Sequence, residues 1–247
     1  MAETFRVSIS PKRVSEFAET LKTVCLFSTH VNFICGNGLV LKTMDSAHVS
    51  LIETWFSPTF FDKQVGDKPV VFGVDIGLLL KIFKIVPPNS FVKLHYNEQT
   101  SKLTVQGDQF EYVLATMQVD EDTLEVPEEM VANMTVLDMD AEMFKIMNEL
   151  AVHWRLAFNA DTLSFEQEKE WLVMKTETDL CKARQNFKIE APVTHLPRLT
   201  FNSKLYAIIK PRNWMKRTLS LGRNMPAVLM DEHETHRVRV FIAPIDE

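Results

Sequence analysis

Cysteine and glycine are both scarce in this chain, and their scarcity is informative. The three cysteines, Cys25, Cys35 and Cys181, form an odd, widely spaced set with no CxxC pair. That argues against a disulfide framework and for buried thiols in a reducing, intracellular compartment. Seven glycines are spread over 247 residues, and none builds a glycine-rich phosphate loop between a strand and a helix. There is no GxSxG segment and no nucleophilic Cys/His pattern. No apolar run approaches the ~20 residues that span a bilayer, and the opening MAETFRVSISPKR lacks the apolar stretch of a secretory signal. No membrane partner is expected. Basic residues are outnumbered, 27 Lys and Arg against 33 Asp and Glu, for a net charge of −6. This balance excludes a surface uniformly attractive to nucleic acid, while leaving room for a basic patch on an acidic body.

What is present is a repeat. Val14, Phe17, Ala18 and Leu21 fall on the apolar stripe of a helix, with Ser10 as N-cap and Pro11 in the first turn. Ile76, Leu79, Leu80 and Phe83 repeat the stripe behind Asp75, and Pro87-Pro88 ends it. Met143, Ile146, Met147 and Leu150 repeat it behind Asp140, and Leu205, Ile208 and Ile209 behind Asn202, stopped by Pro211. The starts are separated by 62, 67 and 62 residues. Each period holds one short helix followed by strand-like segments, so the chain reads as an internally duplicated α+β protein.

Strands fill the gaps. HVNFIC and LVLKTM flank Gly36-Asn37-Gly38 as a hairpin, and SFVKLHYN and KLTVQ flank Asn97 to Ser101. WRLAFNA and LSFEQ flank Asp161-Thr162; TLSL, PAVLM and RVRVFIA follow near the end. MDSAHVSL, Met44 to Leu51, reads as two strand fragments around a polar break. Leu39, Leu41 and Met44 supply an apolar face that Val49, Leu51 and Trp55 resume. The acidic run from Gln118 to Asp138 contains no helical stripe. Three segments follow: an N-terminal domain over 1–117, a connector over 118–135 and a C-terminal domain over 136–247.

Two sets of residues carry candidate chemistry. Lys12, Arg13 and Lys22 lie off the apolar face of the first helix, and Lys81 and Lys84 off the second. Lys145 lies on the third; Lys204 and Lys210 lie on the fourth, with Arg212, Lys216 and Arg217 beyond it. A lysine opposite an apolar stripe is usually only solvated surface, but four helices share the bias. The second set is DEHETH, Asp231 to His236, two histidines three apart with flanking carboxylates. It is not HExxH and it lies between strand-like runs, so a polar hairpin loop explains it better than a metal enzyme does.

With these segments in place, the chain resembles the eukaryotic-type sliding clamps, the proliferating cell nuclear antigen family. The resemblance is strongest over Val40 to Lys84, which includes MDSAHVSL, in the LEVP of the connector (Leu124 to Pro127) and in the terminal FIAPIDE. It is loose over Trp154 to Pro197. It implies a DNA-clamp fold of two similar domains, each with two helices packed on antiparallel sheets. It further implies a homotrimeric ring that encircles double-stranded DNA through its backbone, with no cofactor, metal or catalytic residue. Expected partners are a DNA polymerase, an ATP-driven clamp loader, and flap endonuclease and ligase clients carrying a short clamp-binding motif. The expected location is the nucleus, or a cytoplasmic replication site for a virus-encoded copy.

Residue by residue, the resemblance implies a DNA-facing set of Lys12, Arg13, Lys81, Lys84, Lys145, Lys204 and Lys210. Asp108 and Ala115 stand where the family often has lysine. It implies a client pocket of Met44, His48, Leu51, Leu124, Val126, Pro127, Pro226, Phe241, Ile242, Ala243 and Pro244. Glu125 replaces a common glycine there, and Met130 and Val131 stand where an aromatic is usual. It places subunit edges at Gln109 to Met117, with Tyr112 and Leu114, and at Trp171 to Thr176, with Trp171 and Val173. Ala160 occupies the position before Asp161 where cellular relatives carry a ubiquitin-accepting lysine. Together with the loose second half, that points to a divergent or virus-encoded clamp. A clamp-like DNA-damage checkpoint subunit is the rival reading, and light scattering separates a stable homotrimer from a monomer.

Overall fold

The computed structural model describes residues 5–66, 69–87, 89–117, 131, 134–189, 196, 198–204 and 216–245. The chain divides into two compact units. One comprises Met1–Leu124 with Glu234–Val238, and the other Glu125–His233 with Arg239–Glu247. The division falls within the segment expected as connector, of which 118–130 and 132–133 lie outside the described residues.

In the first unit, β1 (Phe5–Ile9) leads into α1 (Pro11–Cys25), then β2 (His30–Gly36), β3 (Gly38–Met44) and β4 (Ser50–Phe56). A short 3-10 turn at Pro58–Phe60 precedes β5 (Lys63–Val65) and β6 (Val70–Asp75). Then come α2 (Ile76–Ile85), β7 (Val92–Asn97), β8 (Lys102–Gln106) and β9 (Glu111–Ala115). Both helices start where the stripe and cap predict. The Ser10 carbonyl accepts from Arg13 N and Val14 N at 2.9 and 3.1 Å. The Asp75 carboxylate accepts from Leu78 N at 2.8 Å, satisfying a donor that the first helical turn leaves open. The β2–β3 hairpin is tight, with Gly36 opposite Gly38. Gly38 has φ +97°, and a Cβ there would collide with the Phe56 carbonyl oxygen, so only glycine fits.

Two antiparallel sheets result, one ordered β5-β1-β7-β8-β9 and the other running β4-β3-β2-β6. Between helix and sheet lies an aromatic core. Phe17 of α1 sits 5.0 Å from Phe56 and 5.6 Å from Phe83 of α2, ring centre to ring centre. His236, fully buried, stacks on Phe56 at 5.8 Å and meets Phe60 edge-on at 5.3 Å. Thr235 O accepts from Ser57 N at 2.8 Å. These contacts are why Glu234–Val238 count with the first unit.

β4 corrects one expectation. Its core face is Ser50, Ile52, Thr54 and Phe56, all buried, so Leu51 and Trp55 lie on the opposite, half-exposed face, and Val49 is exposed. Polar Ser50 and Thr54 on the inner side disguised the parity.

The second unit contains β10 (Thr135–Met139), α3 (Ala141–Phe158), β11 (Thr162–Glu168), β12 (Trp171–Glu177), β13 (Lys182–Lys188) and β14 (Leu199–Asn202). β15 (Lys216–Leu221), β16 (Ala227–His233) and β17 (His236–Ile242) complete it, apart from the first residues of β17. Its sheets run β13-β12-β11-β14 and β10-β15-β16-β17. α3 departs from expectation twice. It extends to Phe158, so Trp154 to Phe158 is helix, not strand, and Asn159 ends it in the left-handed region at φ 54°. Its buried stripe is Phe144, Met147, Ala151 and Trp154, one step round from the predicted Met143, Ile146, Met147 and Leu150. Ile146 and Leu156 are exposed instead. The fourth stripe, Leu205 to Ile209, lies outside the described residues; only Ser203 and Lys204 begin it, with the Asn202 side chain accepting from Lys204 N at 2.9 Å.

Candidate DNA-facing and partner-docking surfaces

The MDSAHVSL segment is a turn organised by one carboxylate. Asp45 Oδ1 accepts from Val49 N at 3.0 Å and from Ser50 N at 2.9 Å, and Asp45 O accepts from His48 N at 3.0 Å. His48, exposed, sits at φ 56° at the tip of the turn. Met44 and Leu51 are direct cross-strand partners on the outer face of β3 and β4, both half-buried. They form a small apolar patch beside a polar tip. In the second unit, Phe241 and Ile242 are buried, with the Arg239 guanidinium 5.7 Å from the Phe241 ring centre. Ala243 is exposed, Pro226 and Pro244 are half-buried, and Ile245 N donates to Thr200 O at 2.8 Å. Leu124, Val126 and Pro127 lie outside the described residues.

Among the helix cations, Lys12, Lys81, Lys84, Lys145 and Lys204 are exposed. Arg13 is not a free outward charge: it donates to Thr59 O and its guanidinium lies 5.2 Å from the centre of the Phe60 ring. Lys22 is paired with Glu19, and Lys145 with Glu149 at 3.9 Å. Lys210 lies outside the described residues. Arg217, expected beside the fourth helix as part of the basic set, is buried. It forms an ion pair with Asp231 across β15 and β16, and its guanidinium lies 4.0 Å from the centre of the Phe144 ring. This pairing also dissolves the DEHETH loop, whose Asp231 and His236 are buried in strands while only Glu234 and Thr235 form the turn. Among the described residues, no three His, Cys, Asp or Glu side chains come close enough to hold a metal ion. No described helix is long and apolar enough to cross a membrane.

The edge assignments split. β9 is a sheet edge, with Tyr112 and Val113 exposed and Leu114 turned inward. β12 is not an edge: Trp171 pairs with Glu168 of β11 on one side and Lys188 of β13 on the other, and Val173 is fully buried. The open edge beside it is β13, whose outward residues include Lys182, Arg184 and Lys188. Ala160 is buried, its carbonyl accepting from the Ser203 hydroxyl at 2.6 Å.

Residues 12–143 match the model of the proliferating cell nuclear antigen N-terminal domain. The chain belongs to the proliferating cell nuclear antigen family. Proliferating cell nuclear antigen 2 of Plasmodium falciparum is 26% identical over 198 residues, covering 74% of this chain and 70% of that protein. The Saccharomyces cerevisiae protein is 24% identical over 238 residues, covering 87% and 88%. The fold matches that of the Entamoeba histolytica clamp with a TM-score of 0.82, at 18% identity and over 99% and 100% of the two chains. It matches an A. fulgidus clamp, solved with the C-terminal region of FEN-1 bound, with a TM-score of 0.80 at 18% identity and over 99% of each chain. The α+β architecture is therefore the DNA-clamp fold, and the clamps of this family are non-enzymatic scaffolds of replication and repair.

Proposed function

We propose that this protein is a DNA polymerase processivity factor, a homotrimeric ring that encircles duplex DNA and tethers replication and repair enzymes without catalysing a reaction itself. The observation that carries the reading is the exposure of Lys12, Lys81 and Lys84 on α1 and α2, opposite the buried stripes, in a chain of the clamp family. Contacts of lysines with phosphates hold DNA without reading sequence and weaken steeply with salt. Residence on DNA then depends on ring closure. β9 of one copy pairing with β13 of the next would close the ring and cover two open edges.

Client enzymes dock through the outer patch of Met44, His48 and Leu51 and the terminal segment around Pro226, Ala243 and Pro244. Two client aromatic rings buried there would remove ~300–400 Å² from water, worth up to roughly 8–10 kcal/mol before ordering costs. The A. fulgidus clamp with its bound FEN-1 segment supports clients of the flap endonuclease class. A polymerase, a ligase and an ATP-driven loader complete the set, and the nucleus is the proposed site of action.

Primer extension with a matched polymerase and loader tests the reading, with longer products expected only on templates carrying the loaded protein. Unchanged product length with every matched polymerase overturns it. Light scattering on wild type should give a trimer, and Val113→Pro at the β9 edge should shift it toward monomer.

A further inference from the structure

The face of the β5-β1-β7-β8-β9 sheet that points away from its buried side chains is basic. The register places Ser8 between Lys63 and Lys93, and Arg6 beside His95. Lys102 pairs with Asn97 on the same side. With neighbouring strands ~4.8 Å apart and same-face residues ~6.7 Å apart, these groups occupy a patch ~15 Å across. Lys63, Arg6, Lys93 and Lys102 are all exposed, and His95 is half-buried among them. Glu111, at the β9 margin, is the one carboxylate on the described part of this face; Asp62, Glu98 and Asp108 lie in flanking turns. None of the helix lysines assigned above belongs to it.

We infer that this sheet face is a second nucleic-acid surface, which holds the phosphate backbone of duplex DNA outside any ring. Charge complementarity selects a polyanion, because four strong cations with one carboxylate stand out on a chain of net charge −6. Within the paired strands this face carries no outward Phe, Tyr or Trp, which selects duplex over single strand. Proteins that bind single strands without sequence preference rely on bases stacking on aromatic side chains. Here the outward groups are cations, small polar side chains, the half-buried His95 and the aliphatic Val65 and Val113. The placement of Lys63, Lys93 and Lys102 on one face of nearby strands allows several lysines to reach one backbone together. Binding would be sequence-independent and strongly salt-dependent.

The probe is a relaxed, covalently closed circle of duplex DNA, which cannot thread a closed ring without a loader. Full-length protein alone should bind it, with log K falling linearly with log salt. The variant Lys63→Gln/Lys93→Gln/Lys102→Gln should weaken that binding at least tenfold at moderate salt and flatten the slope by up to ~2.7, ~0.9 per lost phosphate contact. Its circular dichroism and melting temperature should match wild type, and the corresponding triple lysine-to-arginine variant should retain binding. The inference is overturned if the outer variant binds the circle as wild type does. It is also overturned if polyglutamate binds the wild-type protein more tightly than duplex DNA of equal charge does and the outer variant abolishes that binding, which would assign the face to an acidic protein segment. The clamp reading fails separately, by loss of processivity or of the trimer.

Discussion

The two units place their charge differently. On the outward face of the first unit's five-stranded sheet, Lys63, Arg6, Lys93 and Lys102 share the described surface with one carboxylate. On the corresponding face of the second unit's four-stranded sheet, cations and carboxylates interlock. Lys175 pairs with Glu166 and Glu168, Arg184 with Glu168, and Lys182 with Glu177. The interior differs in the same sense. Among the described residues, the buried Arg, Lys, Asp and Glu side chains are Arg217, Asp231 and Arg239, all in the second unit. The first face thus carries an excess of cations, while on the second three carboxylates lie close enough to pair with Lys175, Lys182 and Arg184. Both the number of carboxylates and their placement decide, because Coulomb attraction falls with distance and is screened within ~8–10 Å at moderate salt.

The largest effect that would break this contrast comes from the second unit's interior. Arg217→Met leaves Asp231 buried without its cation and removes the contact with the Phe144 ring; a loss of about 3–5 kcal/mol is expected in urea unfolding. Adding Asp231→Leu should recover much of it, since an apolar pair avoids the desolvation cost. A loss below about 1 kcal/mol in the single variant would show that the pair is not buried as described.

A buried ionisable group in the first unit gives a smaller, pH-dependent effect. Burial pushes the Cys35 thiol well above its ordinary value of 9.0, so it stays neutral in the folded state. A raised acid stabilises below the unfolded value and loses that contribution as pH rises, because the unfolded thiol ionises while the folded one cannot. Stability should fall by about 1 kcal/mol more in wild type than in Cys35→Ala between pH 8 and pH 10. The same burial predicts slow alkylation of Cys35 in the folded protein at neutral pH.

The smallest stability effect sharpens the surface comparison. Glu166→Gln/Glu168→Gln should cost no more than about 1 kcal/mol, because both pairs are partly solvated. It should nevertheless release Lys175 and Arg184 and raise the affinity of the second unit for duplex DNA a few-fold at low salt. If affinity does not rise, the interlocked charges are not what keeps that face inactive.

Much of the fold was legible where one local signal was unambiguous. The caps at Ser10, Asp75 and Asp140 marked three helix starts, and the glycines around Asn37 marked the tightest hairpin. Reading failed where the residues allowed two answers. Met143, Phe144, Ile146 and Met147 are all apolar, so the stripe of α3 could take either phase, and only packing chose. Trp154 to Phe158 has no glycine or proline to stop a helix, and its Arg, Leu and Ala favour continuing one. Whether β12 was interior or edge depended on β13, which the residues of β12 do not encode. The basic sheet face escaped notice for a related reason: its cations come from four strands separated in sequence, and only the register brings them together.

The stacking of His236 on Phe56 has a consequence for the order of synthesis. Strand β4 is complete within the first 56 residues, yet the ring that covers Phe56 and Phe60 is made some 180 residues later. At translation rates of ~5–20 residues per second, the first unit waits about ten seconds or more with that aromatic surface uncovered. Folding of the amino-terminal half is therefore completed by the carboxyl-terminal hairpin. A nascent chain stalled before residue 234 would expose Phe56 and Phe60 to chaperones and to neighbouring chains.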